Sequence, residues 1–407
     1  MMDLADWIER HDQPGVSWYI KRLSGNDTGA NKSHQAGPYI PKEFLFSVFA
    51  ELNDIAEKNP RIPVISTTDS HGGSAALKAI YYNSRHQMGQ RNGRRETRLT
   101  GFGGRESALL DPESTGSIAA FAFPPASPDG KRTCHIWVCR NPAEENLIED
   151  WFGVVEPQRA IIVNAGQNRP APKMRPRLSC WLAPPDLPAA WLDVFPSGAE
   201  IIRKATELRD SKGLRPDKRL LKRRECEYEI FRSLEEAVEF PVIKAGFPTF
   251  EAFLERANSI MQRRKARAGK SLELHARQIF VEERLEEGTH FAFQPESEPG
   301  NRPDFLFPSE AAYRDPAFPA GRLRMLAAKT TCKDRWRQII KEANRIPEKH
   351  LLTLQEGISE SQFCEMTQAG VRLVVPEELA TTYPPSIRPH LLTLEAFIGE
   401  VRNLGPA

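Results

Sequence analysis

The stretch LRMLAAKTTCKDRWRQIIKEANRIPEKHLLTLQ (323–355) decides the fold of the C-terminal half. It begins with an apolar run, LRMLAAK (323–329), which has the length and composition of a buried strand. It ends with a second such run, HLLTLQ (350–355). Between the two, residues 334–346 carry apolar side chains at helical spacing. The stripe consists of Trp336, Ile339, Ile340, Ala343 and Ile346. The segment is therefore predicted to form an α/β unit, strand then helix then strand.

The sequence on both sides extends this α/β run. Upstream, 268–286 has helical periodicity, while FAFQ (291–294) and DFLF (304–307) are short strands. Downstream, 359–368 is predicted as a helix and VRLVVP (371–376) as a buried strand. The predicted order is therefore α-β-β-β-α-β-α-β.

Further upstream the patterns change twice. Long helical stretches cover 217–237 and 249–286, and they follow a proline-rich segment that holds seven prolines between residues 166 and 196. Before that segment, short strands alternate with turn residues and helical signal is confined to stretches such as 42–57. The predicted strands are SWYIKRL (17–23), RIPVISTT (61–68), IAAFAF (118–123), CHIWVC (134–139) and AIIVNAG (160–166).

These patterns predict an α+β protein of two domains. Residues 1–165 form a β-rich barrel or sandwich, 166–192 a linker that packs partly against a domain, and 193–407 an α/β domain. The net charge of +2 over 407 residues neither indicates nor excludes a nucleic-acid partner. Six scattered cysteines predict neither a disulfide framework nor a zinc site. With no signal sequence and no long apolar run, a cytoplasmic protein without membrane contact is expected.

Four side chains of the α/β run have the chemistry of a metal-dependent site. Asp304 begins one predicted strand, Lys329 ends the next, and Glu342 lies on the following helix. Glu273 lies upstream on a helix that can pack on the same sheet. Carboxylates that hold Mg²⁺ beside a lysine are suited to phosphodiester hydrolysis by an activated water. Taken singly, these residues are more typical of a turn cap (Asp304) and of surface charges (Lys329 and Glu342) than of a catalytic site. The indication therefore lies in their combination.

Longer motifs in the same order as in a known family identify a resemblance. In the N-terminal half they are YIKRLSGNDTGA (19–30), YIP (39–41), AIYYNSRH (79–86), DPESTG (111–116) and IWVC (136–139). In the C-terminal half they are FPSGAEII (195–202), RAGKSLELH (267–275), PDFLFPS (303–309), KTTCKDRWRQI (329–339), TLQEG (353–357) and GVRLVVP (370–376). Over nearly its full length the chain resembles the EcoRII-type (type IIE) restriction endonucleases.

The resemblance implies a fold and a set of catalytic residues. It implies an N-terminal effector domain of the B3-like pseudobarrel type and a C-terminal nuclease domain of the PD-(D/E)xK fold. The acid that usually stands two residues before the lysine is absent, since Ala327 and Ala328 precede Lys329. In this branch the next helix supplies it, at the place of Glu342. Asp304 and Glu342 are then metal ligands, Lys329 is the catalytic lysine and Glu273 is an outer or second-site carboxylate.

The resemblance also implies a DNA target. Lys333, Asp334 and Arg335 match the positions that read the outer C·G pairs, and their donors and acceptor suit guanine and cytosine edges. A solvated helix start capped by Asp334 is the alternative. The implied site is CCWGG, cut before the first C by a homodimer to leave 5′ overhangs with 5′-phosphates. The central base pair is not specified, and residues such as Arg224 or Tyr228 are candidates for a flipped-base pocket.

Basic clusters are candidates for phosphate contact. RRKARAGK (263–270) and RNGRRETR (91–98) favour DNA contact, whereas KRLLKRR (218–224) is equally typical of a solvated face. The residues predicted to bind a second, effector DNA are Lys21, Arg22, His34, Tyr39, Arg94, Arg95 and Arg98.

Several alternatives remain open at this point. Tyr313 near an arginine-rich site is a candidate for covalent attack on phosphorus. The chain is also compatible with a B3-like DNA-binding regulator whose nuclease domain is inert, and with a methyl-directed nuclease. The family implies that the N-terminal domain covers the catalytic cleft until effector DNA binds. A fragment that starts near residue 190 is then expected to cut faster than the whole chain.

Overall fold

A computed structural model describes residues 3–31, 37–53, 57–83, 96–165, 180–209, 211 and 213–405 of the chain. It divides into two compact units. The first comprises residues 1–173 together with 355–364 and 381–389, and the second comprises 174–354, 365–380 and 390–407. The division falls inside the predicted linker. It differs from the predicted domains because two segments of the C-terminal half belong to the first unit.

The first unit is built on one mixed β-sheet. Among the described residues it has seven strands, paired in the order β4-β3-β2-β6-β5-β1-β7. Strands β2 and β6 pair in parallel, and the other neighbours are antiparallel. The strands are β1 Ser17–Arg22, β2 Arg61–Thr68, β3 Gly73–Tyr82, β4 Glu96–Thr100, β5 Ile118–Phe123, β6 Thr133–Val138 and β7 Ala160–Val163.

Both faces of this sheet are covered by apolar residues, which is why all six residues of β5 are buried. Side chains alternate along a strand, so Trp18 and Ile20 of β1 face one core and Tyr19 faces the other. The Trp18 side packs on helices α1 (Leu4–His11) and α3 (Pro142–Phe152). The Tyr19 side packs on α2 (Lys42–Val48).

The second unit contains the predicted α/β sheet. Among the described residues its five strands pair in the order β12-β11-β10-β9-β8. Strands β10, β11 and β12 are parallel to one another, while β8 and β9 are antiparallel to their neighbours. The strands are β8 Ala292–Phe293, β9 Phe305–Phe307, β10 Arg324–Ala328, β11 Lys349–Leu352 and β12 Val371–Val374.

Helices flank this sheet in the sequence. The predicted order of elements is observed except for one additional short helix, Glu310–Arg314, between β9 and β10. The long helices predicted over 217–237 and 249–286 are observed over Pro216–Ala245 and Phe250–Glu282. The helices of the C-terminal half are α4 Ala189–Asp193, α5 Gly198–Leu208, α6 Pro216–Ala245, α7 Phe250–Glu282, α8 Glu310–Arg314, α9 Trp336–Ile339, α10 Glu360–Gln368, α11 Glu377–Ala380 and α12 Leu394–Asn403. None of the helices in the described ranges is long and apolar enough to cross a membrane.

Residues 180–192 of the predicted linker pack within the second unit. Leu182 and Leu187 join the apolar core formed by α5 and α6, and Trp191 packs against it. Cys180 is disulfide-bonded to Cys226 of α6, with a Cα–Cα distance of 5.2 Å. The sequence predicted no disulfide, because the two cysteines are 46 residues apart and their proximity depends on the fold. Residues 166–179 lie outside the described ranges.

Candidate active site

The pairing of two antiparallel strands brings Asp304 and Lys329 together. Asp304 directly precedes β9 and Lys329 directly follows β10, and the register sets Phe305 opposite Leu326. The Oδ2 atom of Asp304 accepts a hydrogen bond from the Ala328 backbone N–H at 2.7 Å and one from Lys329 Nζ at 3.0 Å. Asp304 is buried, and the lysine charge stands directly beside its carboxylate. A carboxylate and an ammonium therefore share one edge of the sheet.

Two further carboxylates lie around this pair. Glu273, in the C-terminal part of α7, is buried and its Oε2 accepts a hydrogen bond from Gln294 Nε2 at 2.8 Å. The Oε2 atom of Glu342 is buried and has no hydrogen-bond partner among the described residues. Both glutamates interact electrostatically with Asp304 and with Lys329. The structure thus brings together all four side chains that the sequence singled out for catalysis.

The segment that carries Glu342 differs from the prediction. The helix predicted over 334–346 is limited to α9, four residues long, and Glu342 lies in the irregular segment after it. The buried Lys349 donates from Nζ to the carbonyls of Glu342 and Ala343, both at 2.6 Å. The Ala343 N–H donates to Glu298 at 3.1 Å. These side chains satisfy backbone groups that a continuing helix would have paired, so the chain turns there.

The crowding of carboxylates changes their proton affinity. Burial, together with the negative charge of Asp304, raises the pKa of Glu273 to about 7. Burial likewise raises the pKa of Glu342 to about 7, although Lys329 opposes the shift. The buried Asp304 and Glu273 and the half-buried Glu342, whose Oε2 has no partner among the described residues, supply the oxygen donors that a hard divalent cation such as Mg²⁺ prefers. The residues present therefore fit the metal that the sequence implied.

Replacing Glu273 with glutamine is expected to raise the Tm of the metal-free protein at pH 8 by roughly 2–4 °C, the shift produced by about 1 kcal/mol. The pKa of Glu273 in the folded state, about 7, lies above that of an ordinary glutamate. The folded state therefore binds more protons between about pH 4.5 and 7, and its stability falls as the pH rises through that window. Glutamine is uncharged at every pH, so the substitution removes this loss of stability.

Thermal unfolding in EDTA at pH 8 and pH 5 measures the effect, which should vanish at pH 5 where the wild-type carboxyl is protonated. Glu255→Gln is the matched control, because Glu255 is an exposed glutamate on the same helix. A Glu273→Gln protein with an unchanged or lower Tm at pH 8 would contradict the predicted cost of burying the Glu273 charge beside Asp304.

The predicted base-reading residues immediately precede α9. Lys333, Asp334 and Arg335 form a turn, in which Asp334 and Arg335 are exposed and Lys333 is half-buried. Trp336, the next residue, is buried and anchors the turn. The side chains of Asp334 and Arg335 are therefore accessible to a ligand, and they lie close in sequence to Lys329.

The predicted effector-DNA residues have different surroundings. Lys21 pairs with Asp27, with 2.6 Å between Nζ and Oδ2, and Arg98 pairs with Glu96. Tyr39 is 58% exposed. Three of the predicted residues lie outside the described ranges: His34, Arg94 and Arg95.

Arg22, in contrast, is buried among protein acceptors. Its guanidinium donates to the carbonyls of Val155 and Gly116 and to the carboxylates of Glu145 and Glu149. The two carboxylates raise the pKa of Arg22 against the opposing effect of burial. Such a guanidinium stabilises the fold of the first unit, so this placement favours a structural role over DNA contact.

The basic cluster 263–270, for which DNA contact was favoured, is largely neutralised by glutamates of α6. Arg267 pairs with Glu227 and Arg264 with Glu235, at 2.8 and 2.7 Å. Glu239 pairs with Arg263 at 2.8 Å and with Arg256 at 2.6 Å. The sequence did not reveal this pairing because the partners lie 17 to 40 residues apart on the two helices of the hairpin.

Tyr313 is not arranged as a nucleophile. Its side chain is 3% exposed and its hydroxyl donates a hydrogen bond to Glu298. Burial and this hydrogen bond raise the pKa of Tyr313 to about 12, which opposes formation of the phenolate. Covalent attack by Tyr313 is therefore disfavoured.

Sequence reasoning missed three residues that support the carboxylate group. Gln294 holds Glu273, Lys349 holds the Glu342 segment, and Glu298 accepts from the Ala343 and Asn344 N–H groups. Only Lys349 left a signal, as a lysine at the start of the fully buried strand β11. Gln294 ends the predicted strand FAFQ (291–294) and Glu298 lies in the polar segment after it, so neither position stands out from an ordinary polar residue.

Sequence comparisons find close similarity to one family along most of the chain. A family profile described as "Restriction endonuclease EcoRII, N-terminal" matches residues 12–167, and one described as "EcoRII C terminal" matches residues 231–398. The chain is 44% identical over 393 residues to the type II restriction enzyme EcoRII of Escherichia coli. The alignment covers 95% of this chain and 94% of that enzyme.

DNA complexes of Ecl18kI are among the solved structures with partial similarity to this chain. The first is metal-depleted Ecl18kI with uncleaved DNA, at a TM-score of 0.43 and 19% identity, covering 52% of this chain and 80% of that one. The second is metal-depleted Ecl18kI with uncleaved, modified DNA, at a TM-score of 0.43 and 18% identity, covering 55% and 85%.

Proposed function

The chain belongs to the EcoRII family of type II restriction enzymes and is a DNA endonuclease, and from this premise we propose its target and its mechanism. The proposed enzyme is a Mg²⁺-dependent homodimer that hydrolyses both strands of CCWGG. It cuts before the first C and leaves 5′ overhangs with 5′-phosphate ends. The observation that carries the mechanism is the convergence of Asp304, Lys329, Glu342 and Glu273 at one sheet edge.

In this proposal Asp304 and Glu342 hold the metal and Glu273 is an outer carboxylate. A bound divalent cation supplies charge neutralisation at the scissile phosphate and lowers the pKa of a bound water. The Ala328 N–H and Lys329 both donate to Asp304 and fix its carboxylate. Lys329 Nζ, an ammonium with three donors, also orients the attacking water against the phosphate. Gln294 keeps Glu273 directed toward the group.

The proposed folds of the two units follow the family. The catalytic unit is assigned the PD-(D/E)xK fold, with Glu342 supplying the acid that Ala327 does not. Its five-stranded mixed sheet, with Asp304 and Lys329 on neighbouring strands, supports this assignment. The first unit is assigned the B3-like pseudobarrel fold, which is supported by its mixed sheet with an apolar core on each face.

We infer that the first unit restrains the nuclease until it binds effector DNA. Support comes from the segment 355–364, which follows β11 in the sequence yet belongs to the first unit. The Glu356 carbonyl accepts from the Gly25 N–H at 2.6 Å, and its Oε2 accepts from the Gln158 N–H at 2.9 Å. Lys21, a predicted effector-DNA residue, is close enough to Glu356 to lower its pKa against the larger effect of burial. DNA phosphate that engages Lys21 would weaken its attraction for Glu356.

Digestion of plasmids that carry the proposed site tests the function. Matched methylated and unmethylated plasmids are incubated with the enzyme and Mg²⁺, and the ends are sequenced. The proposal expects cuts at CCWGG on both strands, and the sequenced ends identify the central base pair. Cleavage only of methylated DNA, or cuts at unrelated sequences, would contradict the proposed specificity. An intact plasmid would favour the alternative of a DNA-binding regulator with an inert nuclease unit.

Arg335→Ala is expected to weaken binding and cleavage of the cognate site by about 1–3 kcal/mol, the discrimination carried by one good bidentate base contact. Arg335 is exposed, so the substitution should leave the Tm unchanged. Binding titrations with cognate duplex and with duplexes altered at the outer C·G pairs measure the loss.

Arg337→Ala is the control, because Arg337 is an exposed arginine two residues away that pairs with Glu365. Equal losses for the two variants, or an Arg335→Ala protein that discriminates the outer pairs as well as wild type, would exclude direct reading by Arg335.

Phe250→Asp is expected to raise the dissociation constant of the homodimer by roughly tenfold or more. Loss of an apolar side chain that an interface buries typically has an effect of this size. The tip of the α6–α7 hairpin exposes a group of apolar side chains, which is uncommon on a monomer surface. The group consists of Phe240 (61% exposed), Ile243 (51%), Phe250 (68%), Phe253 (45%) and Leu254 (43%). Sedimentation over a concentration series measures the change.

Ile65→Asp is the control for the dimer prediction, since Ile65 is a 50% exposed apolar residue of the first unit. An unchanged dimer in Phe250→Asp would show that the homodimer forms through another surface.

A further inference from the structure

Three potential metal ligands meet in the first unit. His11 is the last residue of α1, Asp69 directly follows β2, and His135 lies on β6. One ligand atom from each residue lies within 4.8 Å of the others. The nuclease mechanism proposed above uses none of these residues.

The sheet and one buried tryptophan hold the three side chains in place. Strands β2 and β6 pair in parallel with Thr67 opposite His135, and the Asp69 N–H donates to the Ile136 carbonyl at 2.8 Å. The Nε1 of Trp7, on α1, donates to Asp69 Oδ2 at 2.8 Å. The same oxygen is 3.1 Å from His135 Nδ1. The positions of Asp69 and His135 are therefore set by the backbone pairing.

His11 is the side chain that lacks a hydrogen-bond partner. It is 9% exposed, no hydrogen bond to its imidazole occurs within the described ranges, and its ring centroid is 4.3 Å from that of His135. A neutral imidazole has a nitrogen lone pair that is available to a metal.

We propose that His11, Asp69 and His135 form a binding site for a divalent transition-metal ion of the zinc class. Two imidazole nitrogens and one carboxylate oxygen are a donor set that zinc accepts and that Mg²⁺, which prefers oxygen, does not. Zinc bound at about 2.0–2.2 Å from each donor requires roughly 3.4 Å between ligand atoms in tetrahedral geometry. A modest contraction of the present cluster achieves this spacing.

The surroundings complete the site. The Trp7 N–H holds the Asp69 carboxylate, as outer partners of metal ligands commonly do. The side chains of Asp69 and His135 are 14% and 28% exposed, so water has access to the fourth position. An ion bound there would join the C-terminal end of α1 to β6 and to the residue after β2. Its role is thus to fasten the N-terminal helix to the sheet of the first unit.

Zinc binding to the full-length chain tests the proposal. An Asp304→Asn background weakens the carboxylate site, and millimolar Mg²⁺ is kept in excess of micromolar Zn²⁺. We expect one zinc per chain by metal analysis after dialysis, together with a zinc-dependent rise in Tm of several degrees. Adding His135→Ala should weaken zinc binding by more than about 100-fold, because loss of an outer partner alone costs 10- to 100-fold.

The control is His71→Ala in the same background, because His71 is an exposed histidine two residues from Asp69. It should retain one zinc per chain. X-ray absorption of the zinc-loaded Asp304→Asn protein gives a readout that does not depend on whether the His135→Ala protein folds, and it should show two imidazole ligands. Absence of bound zinc, zinc without imidazole ligands, or equal zinc binding by the His135→Ala and His71→Ala proteins would overturn the proposal.

Discussion

Lys329→Ala should bind the cognate site but cleave it at least 10³-fold more slowly, within the range by which a general acid–base group contributes to catalysis. The ammonium of Lys329 is 3.0 Å from Asp304 Oδ2 and interacts with both Glu273 and Glu342. Its loss leaves three carboxylates without their local cation, and in the proposed mechanism it also leaves the attacking water without its donor. Single-turnover cleavage of a short duplex with Mg²⁺ measures the rate, and gel shifts with Ca²⁺ measure binding.

Two variants separate catalysis from general charge effects. Lys341→Ala removes an exposed lysine from the same region and should cut at the wild-type rate. Lys329→Arg keeps the charge but loses the compact ammonium and should remain strongly impaired. Cleavage by Lys329→Ala within tenfold of wild type would remove Lys329 from the mechanism.

A fragment comprising residues 180–407 should cut DNA that carries a single site at least roughly tenfold faster than the whole chain. It begins at 180 rather than near 190 because Cys180 and Leu182 belong to the apolar core of the second unit. Without residues 1–173 the segment 355–364 loses its hydrogen bonds to Gly25 and Gln158. The restraint proposed for the nuclease is then absent.

Cleavage of a one-site plasmid, with and without an added duplex that carries the site, measures the effect. The added duplex should accelerate the whole chain and leave the fragment unchanged. The same fragment with Lys329→Ala controls for contaminating nucleases. A fragment that cuts at the same rate as the whole chain, or more slowly, would contradict restraint by the N-terminal unit.

The regular elements were predictable where the apolar pattern is strong. The strands around 305, 326 and 351 are short, continuous apolar runs, and the order of elements around them follows from the pattern. Strands β3 and β4 were missed, because β3 is exposed over much of its first half and β4 follows a glycine- and arginine-rich stretch. The helix α1 was missed as well, since its eight residues leave little room for periodicity.

The candidate site was predictable only in part, for a physical reason. Asp304 and Lys329 stand at strand ends, so strand pairing alone brings them close. The position of Glu342 depends on hydrogen bonds from Lys349 and to Glu298, which no local pattern encodes. The cluster of His11, Asp69 and His135 was likewise hidden, because its members are separated by more than fifty residues and meet through tertiary contacts.

The paired charges of the α6–α7 hairpin have a consequence for the alignment of its two helices. Glu227, Glu235 and Glu239 are at most 3% exposed, and each has an arginine of α7 opposite it. A buried ion pair adds little net stability, but breaking one costs about 3–5 kcal/mol because a buried charge is left without a partner. If one helix slid past the other by a turn, several buried charges would lose their partners at once. The Glu–Arg pairs between α6 and α7 therefore select a single register of the two helices. Apolar side chains of similar size would distinguish the registers poorly.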